Sequence, residues 1–347
     1  MSAADPEDEW DEWDLPPAAR RCLILANPNA GTLKLKEAAA HLRLALEDSP
    51  EKAEETPLLP ASLSLLAAEA ARAGLEANVE PIPSPADLPE LMRKALEEGF
   101  DTIVAAGGDG TVHSIAQALV GSPLRLGILP VGTANNIARA LDIPFDLEGA
   151  LRTVAEGVER RIEVGRVGGE YFLEAAGVGL FADILYAFGP EEPRSQELLR
   201  FLKVCVPLCW NPPAHTLRLI LDGAAVQEQA IMIAVANTPY LGEGMPMAPD
   251  ALVDDGLLDV VIVGAMTRWE LFRFFFALLR GRSLELPQVG RRQAKTIEIQ
   301  RVHRSHRPIP VHADDHIVAE TPVRLEVVPR ALRVLVPPSA THLKASG

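Results

Sequence analysis

Residues 102–111, with the sequence Thr-Ile-Val-Ala-Ala-Gly-Gly-Asp-Gly-Thr, decide the fold of this chain. Residues 102–106 form a short apolar run, which is typical of a buried strand. The glycine-rich loop 107–111 ends that run, and residues 112–119 continue with the apolar spacing of a helix. A buried strand, a glycine turn and a helix in this order predict one unit of an α/β fold.

The same unit recurs on both sides of the loop. Further short apolar runs predict strands, and each is followed by a turn and a stretch with helical spacing. The predicted strands are 22–26, 76–81 and 124–129, and the predicted helices are 35–46, 62–72, 88–98 and 137–141. Alternating strands and helices predict a parallel sheet covered on both faces, so we assign residues 19–158 to an α/β domain.

The pattern changes after about residue 160. Residues 161–167 and 170–175 are predicted strands around Gly168-Gly169, and 216–221 and 226–236 form a predicted hairpin around Asp222-Gly223. Further predicted strands are 257–263, 296–299, 323–328 and 332–336. We therefore expect a second, mostly antiparallel β domain over residues 159–322, with residues 323–340 or so free to pack back on the first domain.

The composition of the chain limits the partners and the cellular compartment that can be expected for it. The 347 residues carry 33 Lys plus Arg against 48 Asp plus Glu, a net charge of −15, which argues against a nucleic-acid partner. Residues 1–18 are acidic, do not resemble a signal peptide, and are expected to be a disordered tail. Three cysteines give no disulfide framework and favour a reducing compartment. We expect a cytoplasmic protein without a membrane-spanning segment.

The loop 107–111 has the features of a phosphate cradle. Its glycines let the backbone approach a ligand, and the N–H groups of the next helix point at the same place. It is not a P-loop, because no Gly-Lys-Ser/Thr follows. A carboxylate beside phosphates needs a cation between them, so Asp109 is expected to meet Mg²⁺. The alternative is that Asp109 only caps the helix.

Two other turns follow predicted strands in the same way. They are residues 27–32 and 130–136, and both contain small and amide-bearing side chains. Open α/β sheets bind ligands at the carboxyl ends of their strands. Three such turns at one edge predict a binding site.

The ordered set of motifs resembles a known family. Residues 107–111, 129–135, 177–179 and 254–260 look like the corresponding motifs of diacylglycerol and sphingosine kinase catalytic domains, especially the soluble bacterial lipid kinases. The resemblance covers roughly residues 20–337. It implies a nucleotide domain, a C-terminal β-sandwich and a cleft between them. It also implies ATP and Mg²⁺ as cofactors and phosphoryl transfer to a lipid hydroxyl, with diacylglycerol as the expected acceptor.

The resemblance also implies residue roles. A structural Mg²⁺ would be bound by the Asp255 carboxylate and the carbonyls of Leu252 and Leu257. The residues expected to bind the nucleotide lie in the three turns: Asn27, Pro28, Gly31, Gly107, Gly108, Asp109, Gly110, Thr111, Val112, His113, Gly132, Thr133 and Asn135.

The general base is where this sequence departs from the family. The family's Asp-Gly-Glu motif falls on Asp314, Asp315 and His316. Either Asp314 remains the base, or His316 takes the place of the Glu, oriented by Asp314. In the alternative interpretation the segment is an ordinary turn and activity is weak or lost. His113 is a second departure, since the family often has Asn there.

Residues 269–282 form a strongly apolar predicted helix that ends in arginines. Three interpretations stay open. The helix packs in the core, or it faces a membrane with its arginines on anionic headgroups, or it forms a homodimer interface. The expected partner is a membrane lipid, reached at the membrane surface.

Two rival functions also stay open. A NAD kinase shares the glycine loop, and phosphorylation of NAD would favour it. A nucleotide- or lipid-binding protein with little activity is kept open by the changed motif at 314–316, and it predicts ATP binding without turnover.

Overall fold

The computed structural model describes residues 20–27, 58–188, 203, 207–208, 210–242, 244–282, 286–302 and 307–340. The acidic tail, the predicted helix 35–46, Pro28, Gly31, Cys205 and Cys209 lie outside these ranges.

The first domain is built on four parallel strands in the order β2-β1-β3-β4. Strands β1, β3 and β4 are almost entirely buried, because helices cover both faces of the sheet. The strands are β1 (Arg21–Ala26), β2 (Glu76–Pro81), β3 (Thr102–Gly107) and β4 (Arg125–Pro130). The helices are α1 (Leu58–Arg72), α2 (Leu88–Glu97), α3 (Asp109–Leu119), α4 (Asn136–Ala140) and α5 (Leu147–Glu156).

The second domain is an antiparallel β structure with helices α6 (Leu180–Phe188) and α7 (Arg268–Leu279) on one face. Its long hairpin, β8 with β9, turns at Asp222 and Gly223 as the sequence predicted. The strands are β5 (Val158–Val167), β6 (Glu170–Phe172), β7 (Ala175–Gly179), β8 (His215–Leu221), β9 (Ala224–Ala236), β10 (Tyr240–Leu241), β11 (Met245–Pro246), β12 (Leu258–Gly264), β13 (Val289–Ala294), β14 (Thr296–Arg301), β15 (Pro310–Ala313), β16 (His316–Glu320) and β17 (Val323–Val336). The predicted fold class, a parallel α/β domain followed by an antiparallel β domain, is confirmed.

Two long strands run through both domains. The first half of β17 pairs with β14, whereas Arg333 and Val334 near its end pair in parallel with β4. Strand β5 lies antiparallel to β17 along almost its whole length. The sheet is therefore continuous from one domain to the other, and residues predicted as two strands, 323–328 and 332–336, belong to one strand with an irregularity between them.

The single strand predicted over residues 170–175 is wrong. The structure has two strands, β6 and β7, with a break at Leu173 and Glu174. The cause is a side chain from elsewhere in the chain. The backbone N–H groups of Leu173, Glu174 and Ala175 all donate to the Asp314 carboxylate, so the chain bends around it.

Helices α6 and α7 share an apolar core with strands β9 and β12. The inward side chains of α7 are Leu271, Phe274 and Leu278, all buried. Within the described residues, none of the helices combines the length and the apolar character that crossing a bilayer requires.

Candidate active site

The three predicted turns meet at the carboxyl edge of the first sheet. Asn27, after β1, donates from Nδ2 to Thr111 Oγ1 at 3.1 Å. A Cβ atom at Gly132 would lie 2.3 Å from Gly108 Cα, so the turns after β3 and β4 touch through their backbones. At Gly107 a Cβ would lie 2.3 Å from Thr111 Oγ1. Only glycine fits at these contacts, which explains the glycines that define the motif.

The start of α3 offers backbone donors to an anion. Gly108 occupies the N-cap position, and no side-chain hydrogen bond caps the helix there. The first N–H groups of a helix favour a phosphate both by hydrogen bonding and by the helix dipole. Gly110, in the first turn, is exposed. This arrangement fits the phosphates of a nucleotide.

Asp109 has a partner that the sequence did not predict. Its Oδ1 accepts from the N–H of Ile137 at 3.1 Å, so it caps α4 rather than its own helix. Burial raises the pKa of Asp109, and the nearby Asp314 carboxylate raises it further. The carboxylate therefore joins the two turns. Its expected contact with Mg²⁺ stays a prediction.

Two residues of the predicted nucleotide-binding set, Val112 and Asn135, have structural roles. The side chain of Val112 is buried in the core of the first domain, so a contact with a ligand would have to come from its backbone, and its role at the nucleotide stays a prediction. Asn135 has a φ of 51°, and its side chain accepts from Gly132 N–H at 3.0 Å and donates to Gly132 O at 2.9 Å. It shapes the turn that presents the exposed Thr133.

Asp314 lies in the two-residue turn between β15 and β16, buried, with a φ of 47°. Its Oδ1 accepts from the N–H groups of Glu174 at 2.9 Å and Ala175 at 3.1 Å. Its Oδ2 accepts from Leu173 N–H at 3.0 Å and lies 2.6 Å from His113 Nδ1. These contacts occupy about all four lone-pair sites of a carboxylate. Because the positive φ falls on Asp314, Asp315 can replace the family's glycine without backbone strain.

Gln117 fixes the tautomer of His113. Its amide is oriented by Tyr171, since Nε2 donates to Tyr171 O at 2.8 Å and Oε1 accepts from Tyr171 N–H at 3.2 Å. The same Nε2 lies 3.1 Å from His113 Nε2, so its second hydrogen points at that ring nitrogen. The His113 Nε2 atom is then the acceptor, and Nδ1 carries the hydrogen that is donated to Asp314. Sequence reasoning placed His113 in the nucleotide loop and missed this pair.

His316 does not pair with Asp314, which corrects the expectation that Asp314 orients it. Its Nδ1 lies 3.1 Å from Asp315 Oδ1 and its Nε2 lies 2.9 Å from Glu170 Oε2. The Asp315 carboxylate, followed by Glu170, raises the pKa of His316 to about 9 against the effect of burial. His316 is therefore protonated at neutral pH and is a poor general base.

Glu174 is a buried acid that the sequence analysis missed. Its Oε2 accepts from Asn136 Nδ2 at 2.8 Å. Burial, together with the charges of Asp314 and Asp109, raises the pKa of Glu174 well above its usual range. The sequence does contain a signal, because a lone Glu interrupts the apolar run at 172–176.

A pocket of about 400 Å³ lies between the domains beside these groups. Helix α3 contributes Gly110, His113 and Gln117 to its lining, and the β15–β16 hairpin contributes Asp315 and His316. Gly110 of the glycine loop and His113 of the His113–Asp314 pair therefore line one cavity.

The segment around Asp255 fits a hard cation. Asp255 Oδ1 accepts from Leu257 N–H at 2.9 Å, and Glu163 Oε2 accepts from Gly256 N–H at 2.6 Å. Glu163 Oε1 is buried without a hydrogen-bond partner, and burial plus the neighbouring Asp255 raise the pKa of Glu163 to about 8. Two adjacent carboxylates need a shared proton or a cation. Sequence reasoning named Leu252, Asp255 and Leu257 but missed Glu163.

Side chains alone do not complete this site. Among the described residues, no cluster of three or more His, Cys, Asp or Glu side chains has the arrangement of a metal site. A cation at Asp255 would therefore need carbonyl oxygens as further ligands, which is the donor type expected from Leu252 and Leu257.

Comparison with known proteins matches two consecutive segments of the chain. Residues 21–167 match the model of the diacylglycerol kinase catalytic domain. Residues 201–336 match the YegS C-terminal NAD kinase beta sandwich-like domain. Diacylglycerol kinases of Staphylococcus aureus strains JH9 and Newman are each 28% identical over 230 residues, covering 66% of this chain and 73% of theirs.

A solved structure shows the same fold. The crystal structure of a diacylglycerol kinase from Bacillus anthracis str. Sterne aligns with a TM-score of 0.66 at 20% identity, covering 93% of this chain and 98% of that one. Both sequence segments are matched in the order found here, so the chain is similar to diacylglycerol kinases and related lipid kinases over most of its length. That similarity supports a kinase activity.

Proposed function

We propose that this protein is an ATP- and Mg²⁺-dependent lipid kinase that transfers the γ-phosphoryl group to the hydroxyl of diacylglycerol. The observation that carries the proposal is the pocket between the domains, which is lined by Gly110 of the glycine loop and by His113, the partner of Asp314. The acceptor is taken from the relatives, which are named diacylglycerol kinases.

The glycine loop supplies the binding side of the reaction. Gly107 and Gly108 allow the loop to pack closely against Thr111 and Gly132, and the start of α3 directs N–H groups at the phosphates. Mg²⁺, when bound, neutralises phosphate charge and holds the protein's carboxylates together. Asp255 and Glu163, with the carbonyls of Leu252 and Leu257, would hold the structural ion.

The His113–Asp314 pair supplies the proton acceptor. The lipid oxygen forms a bond to the γ-phosphorus, the bond from that phosphorus to the β,γ-bridging oxygen breaks, and ADP leaves. The hydroxyl proton passes to His113 Nε2, and Asp314 holds the Nδ1 hydrogen and stabilises the resulting imidazolium. Asp314 does not take the proton directly, because its oxygens already accept from three backbone N–H groups and His113.

Gln117 must give way for this step. Its amide donates a hydrogen bond to His113 Nε2, and Gln117 lines the same pocket. The hydroxyl of an incoming acceptor would replace the amide as the group bonded to that nitrogen. Gln117 is thus the hydrogen-bond partner of His113 that the acceptor displaces.

The test is transfer of labelled γ-phosphate from ATP, with Mg²⁺, to diacylglycerol, a sphingoid base, ceramide, phosphatidylglycerol and NAD. The native protein, Asp314→Asn and His113→Ala are compared, and ATP binding is measured for all three. Labelled phosphatidic acid from the native protein alone supports the proposal. Labelled NADP would identify a NAD kinase instead. ATP binding without any product would identify a nucleotide-binding protein that has lost catalysis.

A further inference from the structure

Helix α7 is apolar on two opposite faces. Its inner face packs in the core through Leu271, Phe274 and Leu278. Its outer face consists of Trp269, Phe272, Phe276 and Leu279, which are 67%, 57%, 44% and 68% exposed. A contiguous exposed patch of large apolar side chains marks an interaction site, so the outer face is expected to have a partner.

The side chains of the outer face form one continuous strip. The rings of Trp269 and Phe272 stack with centroids 5.7 Å apart, and those of Phe272 and Phe276 do the same at 5.7 Å. Trp210, also 60% exposed, extends the strip beyond the start of the helix, where the Arg268 guanidinium lies 5.0 Å from its ring centroid. Aromatic rings of this type favour the boundary between water and lipid.

Positive charge borders the strip. Arg268, Arg273, Arg280 and Arg282 are all exposed, and Arg280 lies over the Phe276 ring at 4.3 Å. The only acid on the helix is Glu270, which is engaged in the capping box with Thr267. A cationic border in a chain with a net charge of −15 is a local feature, and it is complementary to an anionic surface.

The strip is connected to the candidate active site. Helix α6 shares the apolar core of α7. It also packs against β15 and β16, and its Phe181 ring contacts the His312 ring at 4.8 Å, two residues before Asp314. A surface bound by α7 would therefore lie one helix away from the hairpin that carries the proton-accepting pair.

We propose that the outer face of α7 docks on a bilayer surface rich in anionic lipid, with Trp269, Phe272, Phe276 and Leu279 inserted among the headgroups and the arginines on lipid phosphates. A second copy of this chain fits less well, because it would bring two arginine borders together. The role of this docking in catalysis rests on the proposed function, because it assumes a lipid acceptor. The binding of α7 to a bilayer does not depend on that function.

The test is sedimentation of the protein with vesicles of phosphatidylcholine alone, or with phosphatidylglycerol added, in the absence of nucleotide. The native protein is expected to bind the anionic vesicles and to be released by salt. Combined Trp269→Ser, Phe272→Ser and Phe276→Ser is expected to reduce binding about tenfold or more. Arg273→Gln and Arg280→Gln are expected to reduce it about fivefold each, on anionic vesicles only.

Leu96→Ser is the matched control, because Leu96 is an exposed apolar side chain on α2 of the other domain. It should bind vesicles like the native protein. Equal binding by the native and triple variants, or no vesicle binding at all, would overturn the docking surface. So would a native dimer in light scattering that the triple variant converts to a monomer. Kinase activity on detergent-dispersed lipid is measured separately, so a failed kinase proposal remains distinguishable from failed docking.

Discussion

The glycine loop 107–111 and the hairpin turn at 314–315 border the same pocket but are specified in different ways. The loop is built from backbone: glycines permit the close approach, and helix N–H groups provide the donors. The hairpin depends on side chains that are far apart in sequence, since Asp314 meets His113 and three N–H groups near residue 174. The proposed phosphate binding is thus encoded mainly by residues close together in the chain, whereas the proposed proton transfer depends on the assembly of both domains.

The largest effect is expected from removing a side chain of the His113–Asp314 pair. His113→Ala should lower the turnover of diacylglycerol by about 10²- to 10⁴-fold, the usual contribution of a general base. ATP affinity should change little, because the backbone of the loop is unaltered. Initial rates and nucleotide titration measure the two effects. Ser114→Ala is the control, since Ser114 lines the same pocket but its hydroxyl donates to Gly110 O within the helix. Equal losses in both variants would contradict the assignment.

The next largest effect is expected from disturbing the backbone contact between the turns at Gly108 and Gly132. Gly132→Ala would place a Cβ 2.3 Å from Gly108 Cα, so the two turns must separate. We expect weaker ATP binding and a loss of about 1–3 kcal/mol in the free energy of unfolding, typical of an overpacked site. Calorimetry and denaturant unfolding check this. At Gly290, where an added Cβ has its nearest neighbour at 3.8 Å, the same substitution should be close to neutral.

A smaller effect concerns Glu174. Its pKa is raised in the folded protein, so folding binds a proton and stability falls as pH rises above the ordinary Glu range. Glu174→Gln keeps an acceptor for Asn136 and removes this dependence. The variant should therefore melt at the same temperature as the native protein near pH 4 and a few degrees higher near pH 8. A variant less stable at both pH values would show that the carboxylate is needed in its charged form.

The smallest effect concerns His316. Its pKa of about 9 exceeds the ordinary value of 6.5, so its stabilising contribution is complete below about 6.5 and is lost as pH rises through about 9. His316→Gln should lower the melting temperature slightly at pH 6 and not at pH 10. Its turnover should fall less than tenfold, because the ring pairs with exposed carboxylates rather than with Asp314. A loss as large as that of His113→Ala would restore His316 as the base.

Sequence reasoning predicted what depends on neighbours along the chain. The strands before Gly107 and Val131, and the hairpin at Asp222, follow from short apolar runs and turn residues. Sequence reasoning failed where the local structure depends on a side chain from a distant part of the chain. Asp314 causes the break between β6 and β7 at Leu173. Asp109 contacts the start of α4, and Glu163 contacts the loop at Asp255, and both contacts join residues that are far apart in the chain. None of these pairings leaves a local periodicity.

The same distinction applies to the helix at 268–279. Its apolar composition alone left three interpretations open, and the structure shows that packing accounts for only one of its faces. Spacing could not have shown this, because Leu271 and Phe272 are equally apolar and differ only in which side of the helix the sheet occupies.

The long strands β5 and β17 have a consequence for how the protein is made. The first domain's sheet is completed on one side by residues 333–334 of β17, which are synthesised after every other strand of the second domain. The domain that holds the glycine loop therefore emerges from the ribosome with β4 still lacking a neighbour on that side. Folding of the two domains is coupled in time, and a chain interrupted anywhere before β17 would expose a strand edge prone to aggregation.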